Sequence, residues 1–344
     1  MLRTLRHNRL NPVLVGFETV STAAPAATFG FGGADFSAIT SGSSADVSLT
    51  PQRAFGRTPL LAGASSSSDT ATTTAFQYDS TNLAKNLIKY RTGSDAGVDP
   101  GTSSGICLGW RSLDSTKFRN NHFPVLGTYA KPRVVAVKIT TTSPTVNIGG
   151  RQVSVAKNGT GDVTVTLTRP FGNANYAVGL TAIGTVKTIC QYQDRTASSI
   201  RIKRFSAAGA AQDGAFYLVL YGSDSSVNYA RKLMPVMMPW REPRLVGMQV
   251  VWTAGVPAVT IGSGDSTNTV DSSTGDVLIT HATAFKREPV LLVSANYGFW
   301  PVVDATLPTD QTRLQVKVFN SADAAADPTS VNILVFGSDD AIDY

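Results

Sequence analysis

The side chains that could carry nucleophilic, metal or acid–base chemistry are few and scattered: His7, His122, His281, Cys107, Cys190 and 24 carboxylates. A first-row metal site needs imidazole, thiolate or carboxylate ligands spaced to meet on one ion, and no HxH, HExxH or clustered His/Cys/Asp pattern supplies that. Neither cysteine has a CxxC partner or a neighbouring base, so both read as buried, reduced thiols within strands. There is no GxSxG elbow, Walker loop or dinucleotide fingerprint; "FGFGGADF" (29–36) has the glycines of a phosphate cradle but opens no helix. The closest carboxylate pair, Asp339 and Asp340, falls near the C-terminus. The expectation is a chain that is not an enzyme and uses no cofactor and no metal.

The remaining candidates are docking residues. Basic side chains concentrate in a leader (Arg3, Arg6, Arg9) and two connectors (Lys117, Arg119, Lys131, Arg133; Arg231, Lys232, Arg241, Arg244). These segments hold 11 of the 30 basic residues but only one of the 24 acidic ones, leaving the remainder mildly acidic. No RGG run, RNP motif, zinc-finger spacing or helix-turn-helix accompanies them, so nucleic acid is not the expected partner. An acidic protein surface is. The second connector adds "KLMPVMMPW" (232–240), whose Met234, Met237, Met238 and Trp240 are apolar enough to demand a packed partner. At the C-terminus, Asp339, Asp340 and Asp343 could receive Arg3, Arg6 and Arg9 of another copy head to tail. Tyr297, Phe299 and Trp300 in "ANYGFWPVVD" could stack on a sugar ring or fill an interface between domains.

What positions these residues is a threefold internal repeat. "ADVSLTPQRAF" (45–55), "GDVTVTLTRPF" (161–171) and "GDVLITHATAF" (275–285) place Asp46, Asp162 and Asp276 each nine positions before Phe55, Phe171 and Phe285. The copies stand 116 and 114 residues apart. Each opens on a proline (Pro12, Pro132, Pro243) and closes around a glycine (Gly109, Gly222, Gly337). A period near 115 is a small domain rather than a solenoid repeat.

Within the second copy, "RVVAVKIT", "QVSVAK", "DVTVTLT", "YAVGLTAI", "SIRIKRF" and "AFYLVLYG" alternate apolar and polar residues or run in β-branched ones, separated by Gly/Asn/Ser clusters. That predicts short antiparallel strands in a β-sandwich. The GDV motif reads as structural: Gly turns, Asp caps the turn and Val starts the strand. The repeated Phe reads as a core anchor. Ser80–Arg91 has a faint helical face, but its counterparts "SSIRIKRF" and "TRLQVKVF" predict strand. Asn158 begins an N-glycosylation sequon that is more economically the hairpin turn. No apolar run reaches membrane-spanning length, and the leader lacks the apolar core of a signal peptide, so synthesis in the cytoplasm and no membrane partner are expected.

The order of strands, with "RPFGNANYAVGL", "RIKRFSAAG" and "FYLVLYGSD" in the second copy, "TAFKREPVLLVS", "LQVKVFNSA" and "NILVFGSDD" in the third, and "RAFGRTPLLAG" and "ICLGW" in the first, resembles the H-type lectin-like β-sandwich of bacteriophage fibres and other virion surface proteins. That resemblance implies association in threes and either glycan binding or a scaffolding role. Three copies on one chain suggest a covalent pseudo-trimer or a string of beads laid on a surface. The expected organisation is an all-β chain: a basic arm (1–9), a sandwich (10–116), a connector (117–130), a second sandwich (131–228), a Met/Pro-rich connector (229–241) and a third sandwich (242–344). The expected role is structural: a capsid-decorating or tail-associated component of a tailed-phage virion, in multiple copies and in contact with other virion proteins. The alternative is a glycan-binding adhesin.

Overall fold

The computed structural model describes residues 12–23, 26–31, 33, 35–43, 46–52, 55, 58–65, 75–78, 88–93, 102–110, 125–227, 234–236, 238, 240, 242–261, 266–296, 298–304 and 310–340. All regular structure among them is β. The first unit comprises β1 (Pro12–Ala23), β2 (Ala26–Phe31), β3 (Phe36–Ser43), β4 (Asp46–Pro51), β5 (Leu60–Ser65), β6 (Ala75–Tyr78), β7 (Ile88–Gly93) and β8 (Thr102–Trp110), followed by β9 (Leu126–Gly127) in the connector. The second comprises β10 (Pro132–Thr140), β11 (Thr145–Ile148), β12 (Val153–Gly159), β13 (Asp162–Leu167), β14 (Ala177–Ile183), β15 (Thr188–Gln193), β16 (Ser199–Ser206) and β17 (Ala215–Ser223), followed by β18 (Met234–Pro235). The third comprises β19 (Pro243–Thr253), β20 (Val256–Ile261), β21 (Ser266–Ser273), β22 (Asp276–His281), β23 (Val290–Ala295), β24 (Trp300–Val303), β25 (Arg313–Phe319) and β26 (Ser330–Ser338).

One pairing scheme recurs in each. An inner sheet orders its strands second, first, eighth, fifth (β11-β10-β17-β14; β20-β19-β26-β23; β2-β1-β8-β5), and an outer sheet orders them third, fourth, seventh, sixth. Neighbours within each of these four-strand sets are antiparallel. Of Ser80–Arg91, residues 88–91 lie in strand β7, and 80–87 lie outside the described residues.

The landmarks of the repeat explain one another. In each unit the Phe lies beyond the end of the fourth strand and packs on the glycine of the eighth: a β-carbon at Gly109 or Gly337 would enter the ring of Phe55 or Phe285, and one at Gly222 would stand 3.0 Å from Phe171. Phe55, Phe171 and Phe285 are 6%, 4% and 1% exposed. In the second and third units a guanidinium caps the ring, with Arg133 Cζ 4.2 Å from the Phe171 centroid and Arg244 Cζ 3.7 Å from that of Phe285.

The GDV turn differs from expectation in one respect. Gly161 and Gly275 do adopt left-handed φ of 62° and 76°. Their N–H groups, however, are capped by Asp213 and Asp327 from a distant loop, each at 2.6 Å. The motif's own Asp instead sits opposite a basic residue on the seventh strand: Asp46 faces Arg91, Asp162 faces Lys203 and Asp276 faces Lys317. Asp162 also forms a bidentate pair with Arg201. Burial pushes the Asp162 carboxyl up, but hydrogen bonds from Arg201 and Asn158 outweigh it and hold it below the usual carboxylate range. In Asp276 burial wins, and the carboxyl lies above that range.

Candidate functional site: the junction of the three units

The fifth strands β5, β14 and β23 are buried along their whole length on both faces. One face of each serves its own sandwich and the other meets the neighbouring units. The contacts close in a ring: β14 packs on β8, β23 on β17 and β5 on β26, while β5, β14 and β23 touch one another pairwise. The sixth strands follow the same cycle, with β15 beside β5, β24 beside β14 and β6 beside β23. At one of these places the sheets fuse, through a parallel bridge between Ile183 and Val303 that joins β14 to β24. The three units therefore stand around a pseudo-threefold axis, and the string-of-beads alternative does not describe them.

The lining of the axis is not symmetric. Ala62, Gly179 and Leu292 are equivalent by register, each opposite the residue three before the landmark glycine. Leu292 occupies the space that Gly179 leaves open. One residue pair further along, Val293 N–H donates to Thr181 Oγ1 at 2.9 Å, Ser294 Oγ donates to the Leu61 carbonyl, and Val178 N–H donates to Ser104 Oγ at 2.8 Å. Backbone groups of central strands that have no ladder partner thus find side-chain partners from the next unit.

Charge is divided among the units in a way that bulk composition conceals. Residues 132–223 carry 10 Lys and Arg against 3 Asp and Glu, a net +7; residues 12–110 carry 5 against 7, and residues 243–338 carry 5 against 8. The inter-unit ion pairs among the described residues all take their base from the middle unit. Arg195 Nη1 binds Glu18 Oε2 at 2.6 Å, Lys138 Nζ binds Glu288 Oε1 at 2.6 Å, and Lys187 Nζ binds Asp323 Oδ1 at 2.9 Å. Tyr192 OH and Tyr217 OH add hydrogen bonds to Glu18 and Glu288. At the remaining junction neutral groups serve: Gln77 Nε2 donates to Phe299 O and its Oε1 accepts from Gly298 N–H. Opposite net charge on neighbouring lobes favours this arrangement over contacts between like copies.

The connectors dock on their own chain. β9 pairs parallel with the start of β1, and β18 pairs with β9, so both extend the first unit's inner sheet. Tyr129 is buried with its ring 4.7 Å from that of Tyr221, and Trp240 is 7% exposed within the central core. Met238 packs against that core, and Met234 lies in β18. Trp240 and Met238 are thus packed within the chain.

Several expected assembly contacts are likewise occupied within the chain. Arg133 is bound to Asp224 at 2.6 Å, Arg244 to Asp339 at 3.2 Å, and Asp340 N–H donates to Ser338 Oγ. Arg133 and Asp339 are therefore each paired with an opposite charge of their own sandwich. Lys131 is exposed and takes a left-handed φ of 49°, turning the chain into β10 much as Glu242 (46°) does into β19. Of the aromatic trio, Trp300 fills an interface between units, the second of the two roles its sequence allowed. It is 5% exposed, with Lys187 Nζ of the middle unit 3.8 Å above its ring. Phe299 packs on the central core. Arg3, Arg6, Arg9, Lys117, Arg119, Arg231, Lys232, Met237, Asp343 and Tyr297 lie outside the described residues.

No group of three or more His, Cys, Asp and Glu able to hold a metal occurs among the described residues. Burial pushes the thiols of Cys107 and Cys190 up, the latter to about 12, which removes their nucleophilic form at neutral pH. A cleft of about 260 Å³ opens between Asn147, Trp240, Lys286, Arg287 and Gln311, but its one carboxylate, Glu288, is committed to Lys138 and Tyr217. Sequence reasoning missed the axis residues, although "LLAGAS", "AVGLTAI" and "VLLVSA" carry a signal for them: unbroken runs of apolar and small residues, without alternation, mark strands buried on both faces. Comparison of the chain with protein-family models, curated proteins and solved structures finds no match.

Proposed function

We propose that this chain is a non-enzymatic structural component of a tailed-phage virion, a capsid-decorating or tail-associated protein that works by assembly and docking. The observation that supports it is the closure of three fused sandwiches around one axis, with the polar and charged side chains of the junction used to hold lobes together. A homotrimer presents three identical lobes; a fused pseudo-trimer presents three different ones on one rigid body and can meet three different neighbours. That suits a position in a symmetric shell or tail where adjoining subunits are not equivalent. The adhesin reading is not carried forward, because Trp300 and Phe299 are used in the interior.

Quantitative mass spectrometry of gradient-purified particles tests the proposal. The chain at a fixed ratio to the major capsid or tail protein is the expected result, and its recovery only in the soluble fraction would overturn it. Light scattering of the purified chain with and without residues 1–9 then asks whether the basic arm drives association. Assembly of the intact chain alone assigns that role to the arm.

A further inference from the structure

The fourth strands of the second and third units differ at one inward position. Leu167 ends β13 at 3% exposure in the second unit's core, whereas the equivalent residue of β22 is His281, at 6% exposure. The first unit has Pro51 there. Neither ring nitrogen of His281 has a hydrogen-bond partner, so the imidazole bears the cost of burial without the compensation that a polar core residue ordinarily receives. Its ring stands edge-on to Phe285, with centroids 4.9 Å apart and planes at 89°.

The charged groups around it come from each element packed on this end of the unit. Arg244 of β19 stacks on the ring of Phe285 and is paired with Asp339, just past β26. Asp310, before β25, is bound to Arg313 and to the backbone of Thr312. Ser266 of β21 is the residue opposite in register. Arg244 and His281 thus meet the same Phe285 ring, and a charged imidazole would set a second positive charge against it.

We propose that His281 makes the third unit an acid-sensitive lobe: on protonation the imidazole leaves its buried place and loosens the loop from His281 to Glu288, while the second unit, with Leu167, stays closed. Water is reached by peeling that loop, which lifts Phe285 from Gly337 and Arg244. The same loop carries Glu288, so opening it also releases Lys138 and Tyr217 of the middle unit. Acid would therefore act on a contact between lobes. Burial first, and then Arg244, hold the His281 imidazole down at about 4, against 6.5 for a free one. The sign follows: neutral His281 contributes fully above pH 6.5, and its contribution is lost as pH falls from 6.5 towards about 4.

Hydrogen exchange of the intact chain, corrected for intrinsic rates and followed from about pH 7 to about pH 4, tests this. Peptides covering 276–288 should lose protection as pH falls, by about 150-fold in the opening equilibrium at about pH 4, while those covering 162–174 hold theirs. In His281→Leu, protection of 276–288 should stay level over the same range. Equal loss in the variant and the wild type, parallel loss in 162–174, or no loss in the wild type would each overturn the proposal. Should the variant not fold, NMR titration of the wild-type His281 ring replaces it: a midpoint well below pH 6 supports the proposal, and one near 6.5 refutes it.

Discussion

Gly179 and Leu292 share one site at the pseudo-threefold axis: the leucine side chain fills the volume that a β-carbon on the glycine would claim. Ala62 is the equivalent residue of the first unit, so the three matching positions carry one large, one small and one absent side chain. Identical residues at all three places would leave either a void or a clash. Leu292→Ala should therefore cost about 2–5 kcal/mol through the cavity it opens. Gly179→Leu should cost at least as much by overpacking, and the pair Gly179→Leu, Leu292→Ala should recover part of the loss. Denaturant unfolding of the four proteins checks this; simple additivity would mean the two sites do not share volume.

The Phe–Gly pairs predict a second effect. Gly337→Ala places a methyl group against the Phe285 ring and should destabilise by about 1–3 kcal/mol, with partial rescue by Phe285→Leu. Thermal unfolding of the single and double variants measures it.

Glu18 and Arg195 join the first unit to the second with side chains only 8% and 13% exposed. Removing one partner leaves the other charge buried, so Glu18→Gln should cost about 3 kcal/mol and raise proteolysis at the junction. Replacing both with methionine should cost much less. Equal losses in the two variants would show that apolar packing cannot stand in for the pair.

Cys107 and Cys190 should be silent to a thiol reagent at pH near 8 in the native chain and react fully after denaturation. Burial favours the neutral thiol in both. Fast native labelling of either would place it at the surface instead.

Local chemistry made much of this architecture legible. Strands show as period-two alternation, the turns show as glycines that tolerate positive φ, and the recurring Asp, Phe and Gly marked equivalent positions before any packing was known. The same reasoning did not find Asp224 as the partner of Arg133, Arg244 as that of Asp339, or Lys187 as that of Trp300. Sequence shows that a side chain needs an opposite charge or an apolar cover, but not which of many candidates reaches it first.

The amino-acid sequence by itself determined the class of fold, the repeat and the Phe–Gly landmarks, because each depends on backbone preferences and spacings within one unit. Tertiary structure alone decided that the three sandwiches close on one axis, that the middle unit's positive charge serves its two neighbours, and that the connectors fold back on the first sheet. The physical reason is range. Tyr192 and Glu18 lie 174 residues apart, and Ser294 and Leu61 lie 233 apart. Which apolar face meets which is set by shape and charge complementarity between complete sheets, properties that exist only once the sheets have formed.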